Sequence, residues 1–172
     1  MASQVVARTA RLRLREFTPG DLAFLEGMLA DPVIERVYGT RFTREDAEAW
    51  LGRQLERYAR DGHAFWVAET LDTGTPVGQV GLLRKELLGA TELEIAWMIA
   101  APWRRRGFAL EAAQALRDHA FAWLDPARLI SLIRPDNTAS KAVATKLGMT
   151  PEGAVDWAGL EHTLYAVQRP GA

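Results

Sequence analysis

The passage from Glu92 to Leu124 constrains the fold most, because a strand pattern changes there to a helix pattern within a few residues. Residues 92–99 alternate, which predicts a strand whose large apolar face consists of Leu93, Ile95, Trp97 and Ile99. The opposite face consists of Glu92, Glu94, Ala96 and Met98. After a basic loop at residues 101–107, helical spacing begins near Phe108 or Ala109 and predicts an apolar stripe of Leu110, Ala113, Leu116, Ala120 and Trp123.

The loop between this strand and this helix has the features of an anion-binding site. The first turn of a helix leaves backbone N–H groups without intrahelical partners and carries the positive end of the helix dipole. Gly107 permits close approach to the backbone, and positive charge comes from Arg104, Arg105 and Arg106. A loop with solvated arginines is the alternative interpretation. The pattern is neither a P-loop nor a dinucleotide-binding fingerprint.

These residues carry a resemblance to a known superfamily. Arg104-x-x-Gly107-x-Ala109, placed between a strand and a helix, resembles the acetyl-CoA signature of the GNAT N-acetyltransferases. The wider context, from Glu94 to Ala112, is similar to the RimJ/RimL-like branch, which acetylates ribosomal-protein N-termini and other amines. The resemblance implies acetyl-CoA as cofactor and a cofactor site that consists of Met98, Ile99, Arg104, Arg105, Arg106, Gly107, Phe108, Ala109, Asn137 and Ser140.

Asn137 and Ser140 form a second motif at the start of a predicted helix. Residues three apart share a helix face, so both side chains can point at one ligand. In the RimJ/RimL-like pattern this pair faces the pantetheine arm and the thioester. Asn137 is equally suited to cap the helix, and the two roles are compatible.

Acetyl transfer to an amine requires a neutral amine, a donor for the oxyanion and a proton for the leaving thiolate. By resemblance Glu94 occupies the position of the general base, and Glu92 on the same face is the competing candidate. Either carboxylate could instead be an ordinary strand residue paired with an arginine. The resemblance also implies that the sheet splays here, which would free a backbone N–H near Met98 or Ile99 for the oxyanion.

The proton for the thiolate needs a separate source in this chain. Many members of the superfamily carry a tyrosine acid seven residues after the motif asparagine, where this chain has Ala144. The resemblance implies Ser140 as a hydrogen-bond donor instead, with solvent as the alternative. Tyr165 resembles a recurring strand tyrosine of the branch, and we interpret it as core or substrate wall.

The remaining patterns predict a mixed α/β domain over residues 1–172, with about seven strands and about four helices, resembling the GNAT fold. Strands are predicted at residues 10–17, 65–70, 77–83, 92–99, 129–133, 154–157 and 160–168. Helices are predicted to begin near Thr18, Thr43, Phe108 and Asn137. Residues 34–42 are expected to form a loop. The third helix is a crossover, which predicts a parallel pair between strands 92–99 and 129–133.

Composition excludes several other classes. The chain has 172 residues, a net charge of −1 and no cysteine, which argues against a nucleic-acid partner, a disulfide scaffold and cysteine catalysis. No apolar run is long enough to cross a membrane, and the N-terminus lacks a signal-peptide core, so we expect a cytoplasmic protein. His63, His119 and His162 have no metal-site spacing, and no metal is expected.

The predicted function is N-acetylation of a primary amine by direct transfer from acetyl-CoA. The partners are therefore acetyl-CoA and an amine acceptor, with a peptide N-terminus as one candidate. A small amine, such as a polyamine, an aminoglycoside or an amino acid, is the alternative acceptor. A non-catalytic acyl-CoA sensor is the alternative from another class. The resemblance also allows a homodimer, since dimers are frequent in the superfamily.

Overall fold

The computed structural model of the chain describes residues 4–171, and the expectation for the first residues, 1–3, lies outside that range. One sheet with the strand order β1-β2-β3-β4-β5-β6-β8-β7 forms the centre of the described part. The strands are β1 (Val5–Arg8), β2 (Leu12–Arg15), β3 (Phe65–Thr70), β4 (Pro76–Leu87), β5 (Ala90–Ile99), β6 (Arg128–Ile133), β7 (Thr150–Trp157) and β8 (Leu160–Gln168). The helices are α1 (Leu22–Leu29), α2 (Pro32–Tyr38), α3 (Arg44–Asp61), α4 (Phe108–His119) and α5 (Thr138–Lys146).

The sheet has an antiparallel half and a second half that is joined to it by one parallel contact. Strands β1 to β5 run antiparallel in sequence order. Helix α4 crosses over to β6, which pairs with β5 in parallel at Glu94 and Ile130. Beyond that pair β6 continues against β8. The predicted parallel pair is therefore confirmed, and it is very short.

Helices cover both faces of the sheet, as the alternation of β5 requires. Ile95 and Ile99 belong to the core cluster on the α4 side, together with Leu116. Met98 belongs to the cluster on the other side, where Leu29 of α1 and Trp50 of α3 also pack. Each face of β5 therefore has a separate core, and the face that carries Glu94 lies toward α1, α2 and α3.

The described residues contain one strand and one helix more than the sequence predicted. Strand β1 has four residues with a bulge against β2, too short a stretch for clear alternation. Helix α2 replaces the expected loop at residues 34–42. Its N-cap is Asp31, whose carboxylate accepts the Val33 N–H at 2.7 Å, and Pro32 takes the first helical position. The pair Asp31-Pro32 therefore ends one helix and begins another.

The end of α4 differs from its predicted stripe, and α3 buries a polar side chain. Trp123 is 77% exposed, because the chain widens from α4 into a π-helical turn at Ala120–Leu124 that shifts the spacing. In α3, Leu55 is 39% exposed and Gln54 is buried in its place. The Gln54 amide donates to the Trp50 carbonyl at 2.8 Å and accepts from the Phe65 N–H at 3.3 Å, which satisfies the buried polar group.

An ion network fastens the start of the chain to the sheet. Arg15 donates to both carboxylate oxygens of Asp21 at 2.8 and 2.9 Å and to Glu69 at 2.6 Å. Glu69 also accepts from Arg13, and the Asp21 carboxylate accepts the Thr18 N–H at 2.7 Å. The arginine face of β2 is therefore paired, because Glu69 on β3 lies next to it.

None of the helices within residues 4–171 is both long and apolar enough to cross a bilayer. Over the same range, no group of three or more His, Asp or Glu side chains is placed as metal ligands.

Candidate active site

The site forms where β5 and β6 diverge. Beyond the pair Glu94 and Ile130, β4 is the one strand among the described residues that pairs with β5. The Ala100 N–H donates to the Val77 carbonyl at 2.9 Å, and backbone groups alternate along a strand. The Met98 N–H therefore points toward β4, whereas the Ile99 N–H points into the gap. Of the two N–H groups proposed for the oxyanion, the ladder leaves that of Ile99 free.

A cavity of about 730 Å³ occupies this gap. It is bounded by the end of β5, the N-termini of α4 and α5, helices α2 and α3, and the hairpin between β7 and β8. A volume of this size is typical of small-molecule sites. The predicted site residues that line it are Glu94, Met98, Ile99, Arg104, Arg105, Gly107, Phe108, Ala109, Asn137 and Ser140.

The N-terminus of α4 is open toward the cavity. Its N-cap is Gly107 at φ +83°, and no side chain caps the helix. The first intrahelical bond runs from the Glu111 N–H to the Gly107 carbonyl at 3.0 Å, so the N–H groups of Phe108, Ala109 and Leu110 have no intrahelical acceptor. By contrast, α2, α3 and α5 each have a side-chain cap. The arrangement suits a phosphate-bearing ligand.

The three loop arginines take different positions. Arg104 donates from Nε to the Ile99 carbonyl at 3.0 Å, and its Nη2 lies 3.1 Å from Asp31 Oδ2 without the alignment of a hydrogen bond. Arg105 is exposed and lines the cavity at φ +62°. Arg106 is not among the lining residues, and its guanidinium lies 4.9 Å from the Trp103 ring. The structure thus brings Arg104 and Arg105 to the site and leaves Arg106 outside.

Arg11 supports the loop from the neighbouring β1–β2 turn, a role that the sequence did not predict. Its Nη1 donates to the Arg106 carbonyl at 3.0 Å, and its guanidinium covers the Phe108 ring at 4.5 Å. Glu111 accepts from the Arg11 Nε at 2.7 Å and from the Arg11 N–H at 2.9 Å. Burial raises the pKa of Glu111, but the hydrogen bonds from Thr9 and Arg11 outweigh it, so the pKa of this carboxyl lies below its ordinary value.

Asn137 and Ser140 lie together on the cavity wall. Asn137 Oδ1 accepts the Ser140 N–H at 3.1 Å, which confirms the predicted cap. Within residues 4–171 the Ser140 hydroxyl makes no hydrogen bond, so it is available to a ligand. Ala144 is fully buried, and Tyr165 is packed in the core rather than on the cavity wall.

The two candidate carboxylates are separated by the fold. Glu94 is 6% exposed and lines the cavity, with Oε2 at 3.2 Å from Lys85 Nζ and Oε1 accepting the Leu132 N–H at 3.4 Å. Glu92 is not a lining residue, and it forms an ion pair with Arg128. Glu92 is therefore the carboxylate that is paired with an arginine, which was the alternative interpretation for either glutamate. Glu94 instead faces the gap.

Three further residues lie on the cavity wall with Glu94, and the sequence pattern does not show their position. Lys85 contacts both Glu94 and the Trp157 ring, the latter at 4.1 Å. His162 is 9% exposed and lines the cavity, with Nδ1 at 2.9 Å from the Leu160 carbonyl. The Tyr38 ring is 38% exposed, but desolvation of its hydroxyl and the charge of Glu94 raise its pKa well above the ordinary range.

This cavity has the donors that suit a phosphate-bearing ligand, at the divergence of two parallel strands in an α/β fold. The family described as Acetyltransferase (GNAT) domain matches residues 11–150, so the chain belongs to the GNAT acetyltransferases. It is an acyltransferase that uses acetyl-CoA as the acetyl donor.

Individual proteins agree with this membership. The Bacillus subtilis (strain 168) protein YkkB is 33% identical over 142 residues, which are 82% of this chain and 83% of YkkB. An acetyltransferase structure from Agrobacterium tumefaciens str. C58 is 27% identical with a TM-score of 0.84, covering 98% of this chain and 96% of that one. A RimL ribosomal L7/L12 alpha-N-protein acetyltransferase, 16% identical, shares the fold with a TM-score of 0.81 over 98% of this chain and 96% of its own.

The residues present fit acetyl-CoA. The uncapped N–H groups of α4 are donors suited to its phosphates, and Arg104 Nη2 is a buried donor without a hydrogen-bond acceptor. The edge of β5 at Ile99 and the wall at Asn137 and Ser140 continue from this end of the cavity toward Glu94.

Proposed function

We propose that this protein transfers the acetyl group of acetyl-CoA directly to a primary amine, with Glu94 as the general base. One observation carries the proposal. Within the described residues, Glu94 is the sole carboxylate on the wall of a cavity that also contains the open N-terminus of α4. A base and an anion-binding end in the same cavity are what amine acetylation requires.

Glu94 accepts the proton that the amine loses. At neutral pH, deprotonation costs about 4–5 kcal/mol for a lysine-like amine and about 1 kcal/mol for an α-amine. Lys85 holds one carboxylate oxygen of Glu94 and the Leu132 N–H holds the other, so the side chain has a fixed orientation toward the gap. Lys85 is a positioning residue in this proposal.

Bound acetyl-CoA supplies the activated thioester. The Ile99 N–H, which the ladder with β4 leaves free, is placed to donate to the oxygen that becomes negative during acyl transfer. The Ser140 hydroxyl, which lines the cavity, would donate a hydrogen bond to the leaving sulfur, as the resemblance implies, since Ala144 stands at the position of the superfamily tyrosine and Tyr165 is buried in the core. The chain contains no cysteine that could carry the acetyl group, which favours direct transfer over an acyl-enzyme.

The charge of the cavity wall favours some candidate acceptors over others. A polyamine or an aminoglycoside would need several carboxylates, and Glu94 is the sole one on the described wall. The similarity to RimL concerns the fold alone. The proposal that a protein N-terminus is the acceptor therefore depends on the resemblance of the motifs. An α-amine remains the acceptor group that requires the least assistance.

Thiol release from acetyl-CoA, measured across a panel of peptides with free α-amines, amino acids, polyamines and aminoglycosides, tests the proposal. We expect turnover with peptides or amino acids and none with polycations. Saturable binding of acetyl-CoA without turnover in even a single cycle would contradict the proposal and identify an acyl-CoA sensor.

A further inference from the structure

The wall of the cavity carries far more positive than negative charge. Its ionised side chains are Glu94 on the acidic side and Arg53, Arg57, Lys85, Arg104, Arg105, Arg134 and Lys146 on the basic side. Arg104 and Arg105 belong to the phosphate-binding end, and Lys85 is paired with Glu94. Two arginines of α3 at the opposite end have no such explanation.

Arg53 and Arg57 lie one helical turn apart on the cavity side of α3. Within residues 4–171 neither has a carboxylate within 4.0 Å, whereas Arg44 pairs with Glu26 and Arg60 pairs with Asp61. Like charges four residues apart on a helix repel each other. A pair of this kind is unfavourable in the isolated protein and favourable when an anion binds between its members.

Arg57 is the more enclosed of the two. Its side chain is half-buried, and its hydrogen bond within the protein is a long one of 3.4 Å to Gln54 Oε1. Burial and the charges of Arg53 and Arg60 lower the pKa of Arg57, while the charges of Asp61 and Glu94 act in the opposite direction. Arg57 and Glu94 both line the cavity. Arg53 lies over the Trp50 ring at 5.7 Å.

We propose that Arg57, assisted by Arg53, binds a carboxylate of the acceptor, so that the acceptor is an amino acid whose amine is acetylated and whose carboxylate stays free. This inference rests on the proposed function and adds the substrate class. Guanidinium groups bind carboxylates through two parallel hydrogen bonds. The amine lies at Glu94 and the carboxylate at Arg57, with Tyr38, Trp50 and Trp157 as walls for the carbon skeleton.

The reaction leaves that carboxylate unchanged. The amine nitrogen forms a bond to the acyl carbon, and the bond from that carbon to sulfur breaks. Glu94 receives the proton that the amine loses and passes it to solvent, and the departing thiolate, hydrogen-bonded by Ser140, takes up one proton from solvent. Two arginines and one glutamate on the same cavity wall match an acceptor that carries one amine and one carboxylate.

The test uses α- and ω-amino acids of increasing length, each beside its carboxamide, with kcat/KM measured by thiol release at saturating acetyl-CoA. We expect at least one amino acid to exceed its carboxamide by about 10- to 100-fold. Arg57→Gln should remove that preference by raising KM for the amino acid, with the carboxamide and acetyl-CoA unaffected, and Arg57→Lys should restore part of it. Arg60→Gln, on the same helix and outside the cavity, should retain the preference.

The outcomes distinguish the two proposals. Equal rates for amino acids and carboxamides, or a preference that survives in Arg57→Gln, would overturn the carboxylate site while amine acetylation stands. Turnover restricted to peptides with acidic side chains would overturn the free amino acid as acceptor. Failure of every amine alike, with acetyl-CoA still bound, would overturn the proposed function and this inference with it.

Discussion

Glu94 and Glu92 lie two residues apart on the same face of β5, and their neighbours differ. Glu92 is held by Arg128, whereas Glu94 faces the cavity with Lys85 beside it. Lys85 stands opposite Glu92 in the ladder, so its side chain reaches diagonally across the strands to Glu94. The register of β4 against β5 thus decides which glutamate gains a cation inside the site.

Replacing Lys85 tests whether it positions Glu94. Lys85→Met should lower kcat by about 10- to 100-fold, because the carboxylate loses the contact that fixes its orientation. The affinity for acetyl-CoA should stay unchanged, as measured by titration calorimetry. Lys85→Arg should restore part of kcat. A loss that appears only in folding stability, with kcat retained, would make Lys85 purely structural.

At the scale of the element, the junction from β5 to α4 is the feature that most of the site depends on. The loop must reverse direction between Ile99 and Phe108, and it does so with positive φ at Arg105 and Gly107. Arg104 ties the loop to the end of β5, and Arg11 ties it to the β1–β2 turn. The uncapped N–H groups of α4 are thereby held in place before a ligand binds.

Substitutions at Gly107 separate backbone strain from charge. A Cβ at this residue would lie 3.3 Å from Arg11 Nη2, and φ is +83°. Gly107→Ala should cost about 1–2 kcal/mol of stability in chemical denaturation and leave most acetyl-CoA binding intact. Gly107→Glu adds a negative charge at the open helix end and should weaken acetyl-CoA binding by more than about 100-fold. Normal binding of acetyl-CoA by Gly107→Glu would show that this loop does not bind acetyl-CoA.

At the scale of the molecule, the network of Arg13, Arg15, Asp21 and Glu69 joins β2, β3 and the turn before α1. The α1, α2 and α3 layer forms the acceptor end of the cavity, so this network also affects the site. Burial raises the pKa of Asp21, but hydrogen bonds from Arg15 and Thr18 outweigh it and leave the pKa below the ordinary 3.8.

The sign of the resulting pH dependence follows from that direction. A carboxyl whose pKa is lower in the folded state adds stability above pH 3.8, and loses it as the pH falls through the folded value. The free energy of unfolding should therefore decline below about pH 4. Asp21→Asn should cost about 1.5–3 kcal/mol at pH 7 and flatten the acid decline, measured by denaturation at several pH values. If the free energy of unfolding of the variant declined below about pH 4 as in the unaltered protein, other carboxyl groups would be responsible for the decline.

Strong periodicity and clear breakers made much of this fold predictable. The bounds of β3 and β8 match the prediction, and the cap at Thr43 begins α3 as expected. Strand β1 and helix α2 were missed because four to seven residues carry too little periodic signal. Their positions depend on pairing with β2 and on packing, which a local pattern does not contain.

The residues of the site that belong to a continuous sequence motif were predictable. Those that come together only through the pairing of strands and the packing of helices were not. Of the residues that the motifs single out, Arg106 does not line the cavity, and the following do: Arg104, Arg105, Gly107, Glu94, Asn137 and Ser140. Lys85, His162 and Arg57 come from distant elements, and only strand register and helix packing bring them to the cavity that Glu94 lines.

The role of Glu94 as the general base is tested most directly by comparing kcat for Glu94→Gln and Glu92→Gln, with acetyl-CoA affinity measured for both. Glu92→Gln is the matched control, since it makes the same change on the same strand face. We predict a fall in kcat of about 10²- to 10⁴-fold for Glu94→Gln with acetyl-CoA affinity nearly intact. Glu92→Gln should keep kcat and lose at most some stability through Arg128. Equal kcat for the two variants, or equal loss of kcat and acetyl-CoA affinity in Glu94→Gln, would contradict the role of Glu94 as the base.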